Sequence, residues 1–420
     1  MRILRLTKAV EKRLLAARER RDVQAETVAA KIIADVRRRG DAGLSSWTQK
    51  LDGMDLARNG MWVPQREIEE ALRSVGADFV RAVKHAITNV RKVAEKQLPR
   101  NWSMEVESGV SIGQIVRPIE SIGCYIPGGT STLLSTLVMT AVPAQVAGVK
   151  RIVAVCSRPN RELLAAAGLI GLRQVARIGG AQAIAALAYG TKTMPRVDKI
   201  VGPGNRFVTA AKQLVSRDCA IDLPAGPTEA VVIASQGNAS WIAADLLAQA
   251  EHAPDATSIL VTTSPRLARE VQRRVAEQLT KLPEDNQAQS SLKTTGAILL
   301  VASPEGAFRF VNRFAPEHLS LPQYKTARAV MLERVSAAGT VFIGPWAAQP
   351  FGDYATGSNH VLPTAGWARS RAGLSAADFV KCISVQTISR KGFRSLAADV
   401  RILAQAENLL AHDHAVAVRL

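Results

Sequence analysis

A repeated order of short apolar strand, glycine- or proline-bearing turn and helix-like segment runs from residue 121 to residue 313. Predicted strands at 121–126, 151–156, 174–178 and 199–201 alternate with helix-like segments, and the order returns at 230–234, 258–262 and 297–301. A parallel strand pair needs a long crossover connection, which is usually a helix packed on the sheet. The sequence therefore predicts an α/β fold with two parallel-sheet units and a division near residues 225–230.

The segments outside this repeat are predicted to be mainly helical. Apolar side chains recur at helical spacing over 23–39 and 65–97, and residues 109–114 alternate weakly, as a strand would. The tail from residue 376 is rich in Arg and Ala and mostly helical in pattern. We interpret this tail as a docking arm.

The composition excludes several classes of protein. The 420 residues include no uninterrupted apolar run long enough to span a membrane, and the four cysteines are far apart without CxxC spacing. A cytoplasmic protein without disulfides is expected. The net charge of +18 raises nucleic-acid binding as an alternative, but the N-terminal basic residues are mixed with acidic ones in amphipathic stretches. A solvated helical surface is the preferred interpretation.

Glycine-containing turns follow three of the predicted strands. At such turns the backbone can approach a phosphate, and the next helix offers free N–H groups and the positive end of its dipole. Tyr125, Gln182 and Asn205 stand beside these turns, which cover residues 127–129, 179–180 and 202–205. No GxGxxG follows the first strand, so the pattern leaves two alternatives, a nucleotide pocket and ordinary turn glycines.

Most of the histidines lie in the second half of the chain, among polar residues. Gln249 and His252 are three apart in a helix-like segment, which would place both side chains on one face. Asp353 and His360 lie in a loop-like stretch, and His412 lies near the C-terminus. Amide, carboxylate and imidazole groups are ligands that zinc accepts, although a polar surface is the alternative for a helical histidine.

Glu317 and His318 are adjacent and follow Pro316. Two proton-accepting side chains at one place can serve as general bases, one for an alcohol and one for water. The alternative is a capped helix start with a solvated carboxylate.

Seven segments together resemble the histidinol dehydrogenase family, in the same order and with similar spacing. They cover residues 123–129, 179–191, 197–205, 245–252, 315–319, 352–364 and 407–412. The resemblance implies two incomplete Rossmann-like domains with small helical N-terminal and C-terminal appendages, in a homodimer. The implied division is an N-terminal helical segment 1–21, a discontinuous larger domain 22–123 and 230–375, an NAD-binding domain 124–229, and an exchanged dimerisation arm 376–420.

The same resemblance assigns roles to individual residues. It implies zinc held by Gln249, His252, Asp353 and His412 of the partner subunit. Glu317 corresponds to the residue that activates water and His318 to the base for the alcohol. Substrate contacts are implied for the metal-binding residues and His318, together with Thr228, His360 and Glu407. NAD contacts are implied for Tyr125, Gln182 and Asn205. The implied reaction is the oxidation of L-histidinol to L-histidine through a bound aldehyde, with two NAD⁺.

Two positions depart from the family pattern. Thr228 stands where the family usually has serine, and Gln349 stands where it usually has glutamate. The second change replaces a carboxylate by a neutral amide near Asp353. Retention of His360 and Glu407 favours histidinol as substrate, whereas the two departures keep another polar alcohol, such as a hydroxylated sulfonate, as the alternative.

Overall fold

The computed structural model describes residues 1–18, 22–128, 132–224, 226–322 and 328–420, so Gly129 of the first glycine turn lies outside the described residues. The strands of the described residues are β1 (Arg2–Arg5), β2 (Trp102–Glu107), β3 (Val110–Pro118), β4 (Ser121–Tyr125), β5 (Arg151–Val155), β6 (Gln174–Ala176), β7 (Lys199–Val201), β8 (Ala220–Ile221), β9 (Glu229–Ile233), β10 (Thr257–Thr262), β11 (Ala297–Leu300), β12 (His318–Leu321), β13 (Thr340–Ile343) and β14 (Val380–Ile388).

The helices are α1 (Lys8–Ala16), α2 (Val23–Arg39), α3 (Asp41–Asp52), α4 (Leu56–Asn59), α5 (Gln65–Ser74), α6 (Ala77–Gln97), α7 (Leu134–Ala147), α8 (Arg161–Ile170), α9 (Gly180–Tyr189), α10 (Arg206–Val215), α11 (Ala239–Ala250), α12 (Pro265–Leu279), α13 (Ala288–Thr294), α14 (Pro304–Phe314), α15 (Arg328–Glu333), α16 (Pro350–Tyr354), α17 (Arg390–Ala406) and α18 (Leu410–Ala417). Short 3₁₀ helices cover Trp367–Arg369 and Ala376–Phe379. The predicted α/β fold is confirmed.

A five-stranded parallel sheet has the order β6-β5-β4-β7-β8 and lies between two helical layers. Ile122 and Cys124 of β4 share a core with α7 and α8, whereas Val153 and Val155 of β5 share the opposite core with α9 and α10. Both faces are therefore buried, which explains why these strands are continuously apolar.

The helices of residues 23–97 surround this sheet. Helix α2 packs on α9 and α10, α5 packs on α8, and α6 packs on α7. The sequence prediction grouped residues 22–123 with 230–375, but these helices lie against the layers that cover the five-stranded sheet. The domain limits themselves remain a prediction.

A six-stranded parallel sheet has the order β1-β11-β10-β9-β12-β13. Its first strand corrects the prediction that residues 1–21 are helical, because Arg2–Arg5 pairs with β11 before α1 begins. Ile3 and Leu4 pack into the cores on opposite faces of the sheet, as alternating side chains of a strand do. Residues 19–21 lie outside the described part of the chain.

A third, antiparallel sheet has the order β14-β3-β2 and takes up part of the tail, which is otherwise mostly helical, as predicted. Residues 380–388 pair with β3 from Val380 opposite Pro118 to Ile388 opposite Val110. This segment is rich in β-branched residues, which favour a strand. Helices α17 and α18 follow it. Within the described residues, no helix combines the length and apolar character needed to cross a membrane.

Candidate active site

Glu317 and His318 lie at the amino end of β12, next to the amino end of β9 in the six-stranded sheet. His318 is the first residue of β12 and is in register with Ala230 of β9 and Thr340 of β13. The alternative of a helix start at this position is therefore wrong. Helix α14 ends at Phe314, Ala315 takes a left-handed conformation with φ 50°, and Pro316 cannot supply a helical N–H. Strand β12 begins after this turn.

Glu317 is buried and accepts two hydrogen bonds on one carboxylate oxygen. The Thr228 hydroxyl donates to Oε2 over 2.5 Å, and the backbone N–H of Glu229 donates to the same atom over 2.9 Å. Burial raises the pKa of Glu317 to about 7, although both hydrogen bonds act in the opposite direction. A carboxylate with such a pKa can accept a proton near neutral pH.

His318 is held in the tautomer of a base. Its Nδ1 lies 3.2 Å from the backbone oxygen of Glu229, and because a carbonyl only accepts, Nδ1 must carry the hydrogen. The lone pair is then on Nε2, which lies 4.0 Å from Oδ1 of Asp353. Burial lowers the pKa of His318 to about 4, so the ring is neutral at pH 7.

A chain of side-chain hydrogen bonds runs from Gln349 to Glu317. The Gln349 amide donates to Oε1 of Gln249, whose own amide nitrogen donates to the Thr228 hydroxyl over 2.5 Å. The Thr228 hydroxyl in turn donates a hydrogen bond to Glu317. Gln249 and Gln349 are both buried. The chain thus directs donors toward Glu317 and keeps its oxygen an acceptor.

Among the predicted metal-binding residues, His252 is placed differently from the prediction. Helix α11 ends at Ala250, and Glu251 and His252 form a turn before Pro254, so His252 follows the helix that carries Gln249 and does not lie in it. The His252 ring is exposed, and its Nδ1 lies 2.9 Å from the Ala248 oxygen.

Asp353 lies in the short helix α16, where the sequence predicted a loop. Its backbone oxygen lies 3.1 Å from Nδ1 of His360. In the described ranges, no group of three or more His, Cys, Asp or Glu side chains is arranged to hold a metal ion. Gln249 has an amide oxygen, which accepts from Gln349, and Oδ1 of Asp353 lies 4.0 Å from Nε2 of His318. The chemistry of these donors, rather than a completed cluster, is what fits zinc.

The two predicted site residues of the arm stay exposed within one chain. Glu407 follows α17 and His412 lies in α18, a helix that packs on α17. Their backbone N–H groups bond within the arm, to Leu403 over 3.1 Å and to Leu409 over 3.0 Å. Both residues are exposed.

The predicted cofactor residues lie at the carboxyl ends of the five-stranded sheet. The Tyr125 hydroxyl accepts the Gly180 N–H over 3.0 Å, and burial raises the pKa of Tyr125 to about 12. Gln182 is buried and donates to Oδ2 of Asp52 over 3.0 Å. Its Oε1 has no hydrogen-bond partner in the described part of the chain, which leaves an acceptor for a ligand donor. Asn205 accepts two N–H groups and caps α10.

One loop joins the carboxyl ends of the small sheet to the amino ends of the large one. Nε2 of His360 lies 3.3 Å from the Thr136 hydroxyl in the first turn of α7. The neighbouring Asn359 amide donates to the Met139 oxygen over 2.7 Å. These contacts hold the start of α7, which follows β4 in the chain, against the segment that carries His360.

Comparison with known proteins identifies the family. A sequence model of histidinol dehydrogenase matches residues 15–420. The chain belongs to the histidinol dehydrogenase family. A histidinol dehydrogenase from Methanosarcina mazei is 43% identical over 402 residues, covering 94% of this chain and 91% of the relative. A histidinol dehydrogenase from Bacillus cereus is 43% identical over 412 residues, which cover 96% of this chain and 95% of the relative. The crystal structure of histidinol dehydrogenase from Elizabethkingia anophelis superposes with a TM-score of 0.93 at 37% identity, covering 100% and 98% of the two chains.

Several residues of this histidinol dehydrogenase family member contact the site but escaped the sequence analysis. Glu229 begins β9 and is fully enclosed, and Arg18 reaches it from the turn after α1. A carboxylate at the start of an otherwise apolar, buried strand is a signal that a cationic partner exists. Nothing in the sequence points to Arg18 as that partner, because the two residues are far apart in the chain. Asp52, the partner of Gln182, carries no signal either.

Proposed function

We propose that the protein oxidises L-histidinol to L-histidine in two successive two-electron steps, with a bound aldehyde between them and two NAD⁺ consumed. The observation that carries the proposal is the buried Glu317–His318 pair, with the Nε2 lone pair of His318 directed away from the Glu229 carbonyl. The family membership supports the substrate. Closed, positioned bases suit a reaction in which the aldehyde must stay bound.

In this proposal the two residues act on different protons. Nε2 of His318 takes the proton of the alcohol, since the ring is neutral and its other nitrogen is fixed as a donor. Glu317 takes a proton from the water that hydrates the aldehyde, since burial raises the pKa of its carboxyl group to about 7. Thr228 orients the acceptor oxygen of Glu317. His360 and Glu407 contact the substrate.

The chain offers donors for zinc at this place. Gln249, His252 and Asp353 would hold the ion together with His412 of the partner subunit. When bound, zinc supplies a positive centre for the nitrogen atoms of the substrate. The exposed apolar side chains of the arm, which include Ile402, Leu403 and Leu410, fit the proposed homodimer with an exchanged arm. This arrangement would bring the exposed His412 to a second subunit's site.

The other sheet offers contacts for NAD, which accepts the hydride when bound. The unpartnered Oε1 of Gln182 fits an amide or hydroxyl donor of the cofactor. Tyr125 and Asn205 lie at neighbouring strand ends. The four free cysteines agree with the reducing cytoplasm that we propose as its location.

The test is the stoichiometry of NADH formation from limiting L-histidinol by the purified, zinc-loaded protein. We expect two NADH per histidinol, loss of activity with a chelator and recovery with added zinc. One NADH per histidinol would contradict the second oxidation. Activity that survives complete metal removal would contradict the zinc assignment.

A second candidate is the oxidation of another polar alcohol, and Gln349 is the observation that favours it. Its neutral amide occupies a buried position beside Gln249, where the family usually has a carboxylate. A protein that binds zinc and NAD, is inactive on histidinol and oxidises a hydroxylated sulfonate would establish this alternative. Preference for histidinol over a panel of polar alcohols would exclude it.

A further inference from the structure

The backbone of Glu229 holds both proposed bases. Its N–H donates to Glu317 over 2.9 Å, and its carbonyl oxygen lies 3.2 Å from Nδ1 of His318. A displacement of this one residue would therefore change the acceptor geometry of Glu317 and the tautomer of His318 together. The groups that hold Glu229 in place therefore also determine the geometry of Glu317 and His318.

The Glu229 side chain is fixed by Arg18. Two guanidinium nitrogens, Nε and Nη2, each donate to one carboxylate oxygen over 2.5 Å, and the Ala365 N–H adds a bond of 3.2 Å. The exposed fraction is 8% for the Arg18 side chain and 3% for the Glu229 side chain. The pair is thus a bidentate ion pair removed from solvent.

The same guanidinium also holds the turn that leads to the bases. Nη1 donates to the Phe314 oxygen, Nη2 lies 3.5 Å from the Ala315 oxygen, and the guanidinium carbon lies 3.7 Å above the Phe314 ring. Ala315 is the left-handed residue from which the chain turns into Pro316 and Glu317. Arg18 therefore joins the start of β9 to the segment that enters β12.

We propose that Arg18 is a positioning residue for Glu317 and His318, acting through Glu229 and the turn after α14. The inference rests on the proposed function, which gives those two residues their roles. Arginine is required because its planar guanidinium group donates to both Glu229 carboxylate oxygens and to the backbone carbonyls of Phe314 and Ala315 while it stacks on the Phe314 ring. A lysine side chain provides the positive charge, but it has neither the planar set of donors nor the ring stacking. Removal of the cation would leave a buried carboxylate next to Glu317.

The test compares Arg18→Lys and Arg18→Ala with Arg13→Ala, a change at an exposed arginine of helix α1, which precedes the turn that carries Arg18. We expect kcat to fall about 100-fold in Arg18→Ala, because small misplacements of catalytic groups have effects of this size. We expect at least a roughly tenfold fall in Arg18→Lys, with zinc content and the KM for NAD unchanged. Guanidinium ion at millimolar concentration should restore part of the kcat of Arg18→Ala. Arg13→Ala should match the unmodified protein.

A second readout separates this inference from the proposed function. Nitrogen-15 spectra of histidine-labelled protein report which nitrogen of His318 carries the proton, whatever the substrate is. We expect the Nδ1–H signature of His318 in the unmodified protein and its loss in Arg18→Ala. An unmodified protein that is inactive on histidinol would contradict the proposed function alone. A folded Arg18→Lys variant with unchanged kcat and an unchanged His318 tautomer would overturn the positioning role, even if Arg18→Ala fails to fold.

Discussion

The five-stranded and six-stranded sheets have the same parallel architecture, but they present opposite strand ends to the region between them. In the smaller sheet, Tyr125 and the glycine turns lie at the carboxyl ends of the strands. In the larger sheet, Glu317 and His318 lie at the amino ends. The contact between His360 and Thr136 joins the two.

The difference shows how strand direction selects chemistry. The carboxyl ends of parallel strands precede helix starts, whose free N–H groups and positive dipole ends suit an anionic cofactor. The amino ends of the larger sheet instead adjoin a helix end, because Gln249 lies in the last turn of α11. The negative end of a helix dipole favours a cation, which agrees with a proposed zinc site. Strands that begin at this place also expose the Glu229 N–H and carbonyl for orienting side chains.

The largest expected effect comes from the amino ends of the larger sheet. His318→Asn should lower kcat by roughly 10²–10⁴-fold, the range typical of removing a general base. Zinc content should stay unchanged, because the His318 ring is proposed as a base and not as a ligand. NADH formation and metal analysis measure the two quantities. His85→Asn, at an exposed position of α6, is the control. Loss of zinc in His318→Asn would show that this division of roles is wrong.

At the carboxyl ends of the smaller sheet, the strongest effect is expected on stability. Gly202 has φ 111°, and a Cβ there would lie 2.2 Å from the backbone carbonyl oxygen of Tyr125. Gly202→Ala should therefore lower the free energy of unfolding by about 3 kcal/mol or more. Gly53→Ala is the matched control, since it has φ 70° but no atom within 4 Å of the added carbon, and about 1 kcal/mol is expected. Equal losses in denaturant unfolding would mean that backbone strain, and not the close approach, decides the effect.

A smaller effect should separate cofactor binding from metal binding. Gln182→Met removes the unpartnered Oε1 and the bond to Asp52. The KM for NAD should rise about tenfold, the effect of losing about 1.4 kcal/mol of binding. Zinc content and the KM for histidinol should not change. Gln213→Met, at an exposed position of α10, serves as control. An unchanged KM for NAD would remove Gln182 from the proposed cofactor site.

The smallest expected effect concerns the carboxyl ends of the larger sheet, where Asp245 lines a cavity with Ser320 and Phe342. Burial raises the pKa of Asp245 to about 6, from an ordinary value of 3.8. Above about pH 6 Asp245 is ionised in the folded state, and burial of this charge lowers the stability of the protein. Below about pH 4 the group is protonated in both the folded and the unfolded state, so this loss of stability disappears. The free energy of unfolding of Asp245→Asn should be higher than that of the unmodified protein by ~1 kcal/mol at pH 8, after allowance for partial exposure, and nearly equal to it at pH 4. Exposed Asp78→Asn is the control for denaturant unfolding at both pH values. A gain that does not depend on pH would contradict an electrostatic origin.

Sequence patterns were sufficient for the α/β fold and for most of its elements, because both sheets are buried and their strands are continuously apolar. Helix α2 and strand β7 have the predicted limits. The short β1 and the exposed β14 were missed, since their pairing partners lie far away in the sequence. Local pattern also gave a helical position to His252, but the turn before Pro254 ends α11 earlier.

The site was accessible to sequence reasoning only in part. The adjacent Glu317 and His318 were visible as a pair of bases, yet their position at a strand start followed only from the structure. The roles of Gln349 and Arg18 depend on hydrogen bonds across 100 and 211 residues of sequence. Such contacts leave no periodic signal. The predicted metal and cofactor contacts remain predictions.

The topology of the larger sheet also determines the order in which the chain can fold during synthesis. Strand β1 at Arg2–Arg5 is made first, but its partner β11 begins at Ala297. The smaller sheet, by contrast, uses strands from Ser121 to Ile221 and can close while translation continues. Strand β1 must then wait unpaired for about 15–60 s, given typical translation rates of ~5–20 residues per second. We expect nascent chains released before residue 297 to have a protected smaller sheet and an N-terminal segment that proteases cut readily.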